Sequence, residues 1–176
     1  MKIWLSARLL WDSSQDTEKL LRGFFADYFG PAAPQMRYYF DLVQARWDYI
    51  EREYHLYLKS VHYLDDREFW SADYLNDCLS AIEEARGKAQ AVTDEKTRET
   101  LMRRILIESM SPRYMKLNLY AETYGAELEQ VKDAFLADCK TLGITCFGCG
   151  NRQVLIREDV LAGRREYFDE DGNIVG

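Results

Sequence analysis

Residues 11–40 read WDSSQDTEKLLRGFFADYFGPAAPQMRYYF, and this stretch decides the fold because it spells a helix, a stop and a new helix. Leu20, Leu21, Phe24, Phe25 and Tyr28 recur at helical spacing against Glu18, Lys19, Arg22 and Asp27, so one face is apolar and the other charged. Ser13 and Asp16 have the spacing of a capping box, which predicts a helix start at Ser13 with acidic charge at its positive end. Gly30 can take the positive φ that ends a helix. Pro31 and Pro34 suit the first turn of the next one, where backbone N–H groups lack partners in any case.

Working outward, Met36, Phe40, Val43, Trp47, Ile50, Tyr54, Tyr57 and Val61 follow at alternating steps of four and three, a heptad seam. Leu42, Tyr49, Leu56 and Tyr63 widen the stripe. The pattern predicts a helix from Pro34 to about Tyr63, ~45 Å long at 1.5 Å per residue, as the spine of a bundle. After the polar connection Asp65-Asp66-Arg67, Ser71 can cap a helix that buries Leu75, Cys78, Leu79, Ile82 and Ala85. Thr93 and Asp94 precede a further helix through Leu101, Ile105 and Leu106 towards Tyr114 and Tyr120, with a kink expected at Pro112. Gly125 separates it from a last helix carrying Leu128, Val131, Phe135, Leu136 and Leu142, and Gly143 is the stop. Beyond it the period changes. Val154-Leu155-Ile156, Glu166-Tyr167-Phe168 and Asp171-Gly172 favour short strands and a hairpin-like turn. The predicted fold class is therefore all-α, an elongated helical bundle with a long central helix and a small irregular or β-rich C-terminal tail. The expected domains are 1–143 and 144–176.

Composition narrows the function classes. Lys plus Arg number 23 and Asp plus Glu 30, giving a net charge of −7. No surplus of cations is available to release counterions from a phosphate backbone, so no nucleic-acid partner is expected. An apolar fraction of 47% with three prolines predicts a folded chain. No apolar run approaches the ~20 residues that cross a bilayer, so no membrane span is expected. The short patch after Lys2, interrupted by Arg8, is too brief for a secretory signal.

Chemistry-bearing residues do not assemble into a catalytic pattern. Cys146 and Cys149 form a CxxC, but no second pair or nearby His completes a zinc set with Cys139 or the distant Cys78. Nor does the pair open a helix after a strand, as a redox motif would. Glu51, His55 and His62 share about one helical face, yet seven residues of helix put the two imidazoles ~10 Å apart, too far for one ion. Asp65-Asp66, Glu83-Glu84 and Asp169-Glu170 are sequence neighbours whose side chains diverge, whereas glycoside hydrolysis needs two carboxylates roughly 5 to 10 Å apart across a cleft. Asp169-Glu170-Asp171-Gly172-Asn173 lacks the downstream Glu of a calcium loop. Aromatic residues make up 14% of the chain. Tyr38, Tyr39, Phe40, Trp47, Tyr49, Tyr54 and Tyr57 could stack on sugar rings, but their core-like spacing favours a buried structural role. No catalytic, cofactor-binding or metal residue is assigned, and no cofactor is expected.

Leu9-Leu10-Trp11-Asp12, Asp16, Phe24 or Phe25, Tyr28-Phe29-Gly30-Pro31-Ala32-Ala33-Pro34 and Tyr39 together resemble the C-terminal helical region of a bacterial domain-of-unknown-function family. Phe69-Trp70-Ser71 through Glu84-Ala85, Arg103-Arg104 and Tyr114-Met115-Lys116-Leu117 extend the likeness over roughly residues 3 to 120. The family comprises large multidomain proteins similar to glycoside hydrolases of α-glucuronidase or hexosaminidase type. The resemblance implies that acid and base lie on a preceding barrel, so no active-site residue carries over. It further implies that the chain is an excerpt or remnant of a longer polypeptide, whose apolar pattern at Ile3, Trp4, Leu5, Leu9 and Leu10 is entered without a cap. Its implied role is a non-catalytic C-terminal domain. The partners it implies are the other domains of a parent protein, with carbohydrate as a further contact; if that parent is exported, its signal lies outside this chain. A free-standing module that dimerises through the long helix, and a small enzyme whose site is not legible in the sequence, are the other classes.

Overall fold

The computed structural model describes residues 2–54, 67–144, 167–168 and 174–175. The fold is all-α, as the periodicity predicts. Its described helices are α1 (Lys2–Trp11), α2 (Thr17–Phe29), α3 (Ala33–Tyr54), α4 (Ala72–Gln90), α5 (Glu95–Tyr120) and α6 (Leu128–Leu142). Short 3₁₀ turns at Gly30–Ala32 and Ala121–Glu127 lead into α3 and α6. Near the C-terminus, β1 (Tyr167–Phe168) and β2 (Ile174–Val175) pair antiparallel, with Tyr167 opposite Val175 and Phe168 opposite Ile174. The remaining tail motifs, including Val154-Leu155-Ile156 and Asp171-Gly172, lie outside the described residues, as do the His55–Tyr63 part of the expected spine and Asp65-Asp66.

The helix ends follow local chemistry, with one correction. The cap of α2 is Asp16, not Ser13: its Oδ1 accepts the N–H groups of Glu18 (2.9 Å) and Lys19 (3.1 Å). Ser13 loses the position because Asp12 organises its own turn, accepting from both the N–H and the hydroxyl of Ser14. A carboxylate is the better acceptor for two orphan donors. At the other end Gly30 has φ 53° and ψ −127°, its N–H returning to the Ala26 carbonyl. Asp94 starts α5 by accepting the Thr97 N–H at 2.8 Å, and Gly143 ends α6 in the left-handed conformation.

The chain divides into two compact units, Met1–Tyr49 with Ser80–Glu108, and Ile50–Leu79 with Ser109–Gly176. In the first, Phe25, Phe29, Ala32, Met36 and Tyr39 are buried together with Ala81, Ile82, Ala85, Leu101 and Ile105. Phe25 meets Phe40 edge-on at 5.3 Å and Tyr28 meets Phe29 edge-on at 4.9 Å, the geometry that aromatic quadrupoles favour. Arg104 closes the end of α2, donating to the Tyr28 carbonyl at 2.6 Å with its guanidinium 4.1 Å from the Tyr28 ring centre. In the second unit Ile50, Phe69, Trp70, Leu75 and Leu119 form a core against which Tyr74, Met115 and Tyr120 pack. Arg67 donates to the Leu119 carbonyl at 2.7 Å, and the Tyr120 hydroxyl donates to Trp70 O. Arg113 and Asp138 pair at 2.6 Å with both side chains largely shielded.

One expectation about the long helices changes. The aromatic residues of α3 are not uniformly core: Tyr39 is buried and Phe40 half-buried, but Tyr38, Trp47 and Tyr49 are exposed, Trp47 at 38%. A seam is buried only where a neighbour covers it: Met36 and Ile50 are fully buried, whereas Trp47 between Val43 and Ile50 stays open. Pro112, where a kink is expected, lies inside a continuous α5. Proline has no N–H for the carbonyl four residues back, that of Glu108, and the Tyr39 hydroxyl donates to that carbonyl at 3.2 Å.

Candidate functional site

At 100° per residue, α1 turns Leu5 and Leu9 to one side and Ile3, Ala7, Leu10 and Trp11 to the other. Leu5 and Leu9 are half-buried. Ile3 (88%), Leu10 (88%) and Trp11 (91%) are open to solvent. The sequence treated α1 as one apolar face. The structure shows two, since a helix apolar nearly all round satisfies only the side that meets α2. Trp4, at the border of the two sides, also reaches α2, its ring 5.3 Å from Phe24.

The same pair of helices encloses a groove of about 480 Å³. Gly23 and Leu20 of α2 line it together with Trp4 and Arg8 of α1. Gln15, Asp16, Lys19 and Asp27 supply the polar rim. Trp4 keeps 37% of its surface exposed, and the Arg8 guanidinium stands 5.7 Å from its ring centre. Two cations and two carboxylates balance. The carboxylates do not form a glycosidase pair: eleven residues of helix separate Asp16 from Asp27, ~16 Å of rise against the roughly 5 to 10 Å that such chemistry requires. The arrangement can hold a ligand by stacking and hydrogen bonding. It offers no nucleophile.

The residues singled out in the sequence are scattered. Cys78 and Cys139 are buried free thiols. Burial pushes Cys78 up to about 11 and raises Cys139 as well, so both are protonated and poorly nucleophilic near neutral pH. Cys146 and Cys149 lie outside the described residues, as do His55, His62, Asp169 and Glu170; Glu51 is exposed on α3. Glu83 and Glu84 are exposed on α4, with Glu83 3.3 Å from Arg86. Among the described residues, no three His, Cys, Asp or Glu side chains converge as a metal site. Nor is any described helix long and apolar enough to cross a membrane. Burial raises the Glu108 carboxyl above its ordinary value, but the groove does not include it. Sequence reasoning passed over Arg8, Gln15, Lys19, Gly23 and Asp27. The available signal was Gly23, a glycine in the middle of an otherwise strong helix.

Residues 1–41 match the family described as Domain of unknown function (DUF4838). The matched stretch holds the whole groove, both faces of α1 and the Gly30 turn, and covers 41 of the 176 residues. This part of the chain is thus similar to a domain of unknown function. No curated protein and no solved structure matches the chain.

Proposed function

We propose that this chain is a non-catalytic helical domain, spanning 1–143 with a separate tail at 144–176, that packs through α1 against another domain of a larger carbohydrate-active protein. The exposed outer face of α1 carries the reading: Ile3, Leu10 and Trp11 stand in water on a helix whose other side is already packed. Covering each such side chain returns about 1.5–3 kcal/mol, and contiguous exposed apolar surface of this kind marks an interaction site. The family match over residues 1–41 falls on the same helix. The glycoside-hydrolase-like parent with a catalytic barrel rests on the resemblance of the motif between Leu9 and Tyr39, which supports it without assigning this chain a chemical step.

Acrylamide quenching and chemical cross-linking of the native polypeptide that contains this chain test the proposal. Trp11 shielded from quencher, with cross-links from Lys2 or Lys19 into a different domain, is the expected result. Trp11 equally quenchable in that polypeptide and in the isolated chain would refute it. Self-association of the isolated chain that survives Leu10→Asp would point instead to a dimer formed through the long helix.

A further inference from the structure

Gly23 lies near the middle of α2 and is exposed, and a Cβ placed there would meet nothing within 4 Å. Its backbone is not among those with positive φ. Neither packing nor conformation requires glycine, yet glycine in a helix interior costs about 1 kcal/mol relative to alanine. The missing side chain leaves open space on the lining of the groove, which Trp4 also lines.

We propose that the groove between α1 and α2 binds a neutral pyranose ring, which lies flat over Gly23 and Leu20 against Trp4 and hydrogen-bonds through its hydroxyls to Arg8, Lys19 and the nearer of the Asp16 and Asp27 carboxylates. Three features of the site select that chemistry. The rim carries two cations and two anions, so no net field favours a charged ligand. A ring with hydroxyls around its edge donates to the nearer carboxylate and accepts from Arg8 and Lys19. Its C–H face suits bare backbone and an aromatic ring better than water does. Two of the groups are also prepared for it. Asp16 is held in place by the Glu18 and Lys19 N–H groups through Oδ1, leaving Oδ2 for a ligand. Among the described residues no carboxylate pairs with Arg8, so its guanidinium can leave the Trp4 ring for a hydroxyl as the sugar arrives. The volume falls within the roughly 300–1,000 Å³ of small-molecule sites, and the open side predicts weak binding. The inference goes beyond the docking proposal and does not depend on it, because Ile3, Leu10 and Trp11 do not line the groove.

Titration of the folded chain with methyl β-glucoside, cellobiose and maltose, read from ¹H–¹⁵N chemical shifts, tests it. Saturating shifts at the Gly23 amide and the Trp4 indole N–H are expected with at least one of the three, with a dissociation constant of about 1–10 mM. Gly23→Leu fills that space without losing the helix, and circular dichroism will show it at least as stable as the parent. It should weaken binding about tenfold or more, as should Trp4→Ala. Gly87→Leu is the matched control, a mid-helix glycine of α4 with equally empty surroundings, and leaves binding unchanged, as does Trp11→Ala. The proposal is overturned if none of the three sugars gives saturable shifts. Shifts that Gly23→Leu leaves intact, or tighter binding of glucuronate or free glycine than of the neutral sugars, overturn it equally.

Discussion

The turn at Gly30 and the turn at Gly125 share one backbone, φ 53° with ψ −127° and φ 52° with ψ −126°, but are set in different surroundings. In each, the glycine carbonyl accepts the N–H three residues on, from Ala33 in one and Leu128 in the other. In each unit an arginine distant in sequence also bonds the carbonyl of a helix's next-to-last residue and covers a tyrosine ring: Arg104 at Tyr28 of α2, Arg67 at Leu119 and Tyr120 of α5. The Gly30 turn is enclosed, with Phe29 and Ala32 buried and the Leu101 methyls 3.6 and 3.7 Å from where a Cβ would sit. Around Gly125 nothing lies within 4 Å, and no residue of its 3₁₀ turn is buried. The difference separates what a glycine turn needs, a permitted φ, from what makes it a structural anchor, which is burial.

Breaking the comparison starts at its strongest contrast. Phe29→Ala should cost about 3–5 kcal/mol in urea denaturation, as for an aromatic removed from a closed core, and Tyr124→Ala less than half as much. Equal losses would show that enclosure is not what distinguishes the turns. Gly30→Ala and Gly125→Ala should each cost about 1–3 kcal/mol from backbone strain alone, because the Leu101 methyls leave ordinary contact distance for a Cβ. A far larger loss at Gly30 would mean that packing, not φ, restricts that site.

The arginine ties sharpen the comparison at smaller scale. Arg104→Met should cost about 1.5–3 kcal/mol, the range for a hydrogen bond with a charged partner. Arg67→Met should cost less than Arg104→Met, since the Arg67 side chain is half exposed and its bond to the Leu119 carbonyl is weakened by solvent. Tyr39→Phe should cost about 1 kcal/mol by orphaning the Glu108 carbonyl. That loss should shrink in a Pro112→Ala background, where the helix regains its own donor. A double-mutant cycle without coupling would refute the assignment. The smallest effect concerns the Glu108 side chain, which burial raises above its ordinary 4.5. A raised carboxyl pKa means that the folded state favours the protonated form. Its contribution is present below 4.5 and is lost as pH rises through the folded value. Glu108→Gln should therefore raise the melting temperature at neutral pH and leave it nearly unchanged below that value.

Much of the fold was legible because its signals are local. The α2–Gly30–α3 turn was readable from a run of apolar spacing, one glycine and two prolines, and Gly125 and Gly143 were equally readable stops. The Ser13 cap was misassigned because Asp12 and Asp16 each organise their own donors, Ser14 for one and Glu18 and Lys19 for the other, and only geometry shows which carboxylate reaches which N–H. That the carbonyl freed by Pro112 finds a donor was not legible, because that donor, Tyr39, lies 73 positions earlier in the chain. The candidate groove was hardly legible. It depends on α1 folding against α2 so that Trp4 and Arg8 line it together with Gly23, and no spacing rule records that approach.

By itself the sequence determined the order of the helices and, to within a few residues, their ends, because caps, prolines and glycines act within one or two turns of chain. It also determined that α1 would be apolar. Which side of α1 is covered, which aromatic residues of α3 stay in water, and which arginine closes which helix were decided only by the tertiary structure. Burial and long side-chain bonds depend on what lies across space, and periodicity along one helix carries no record of it.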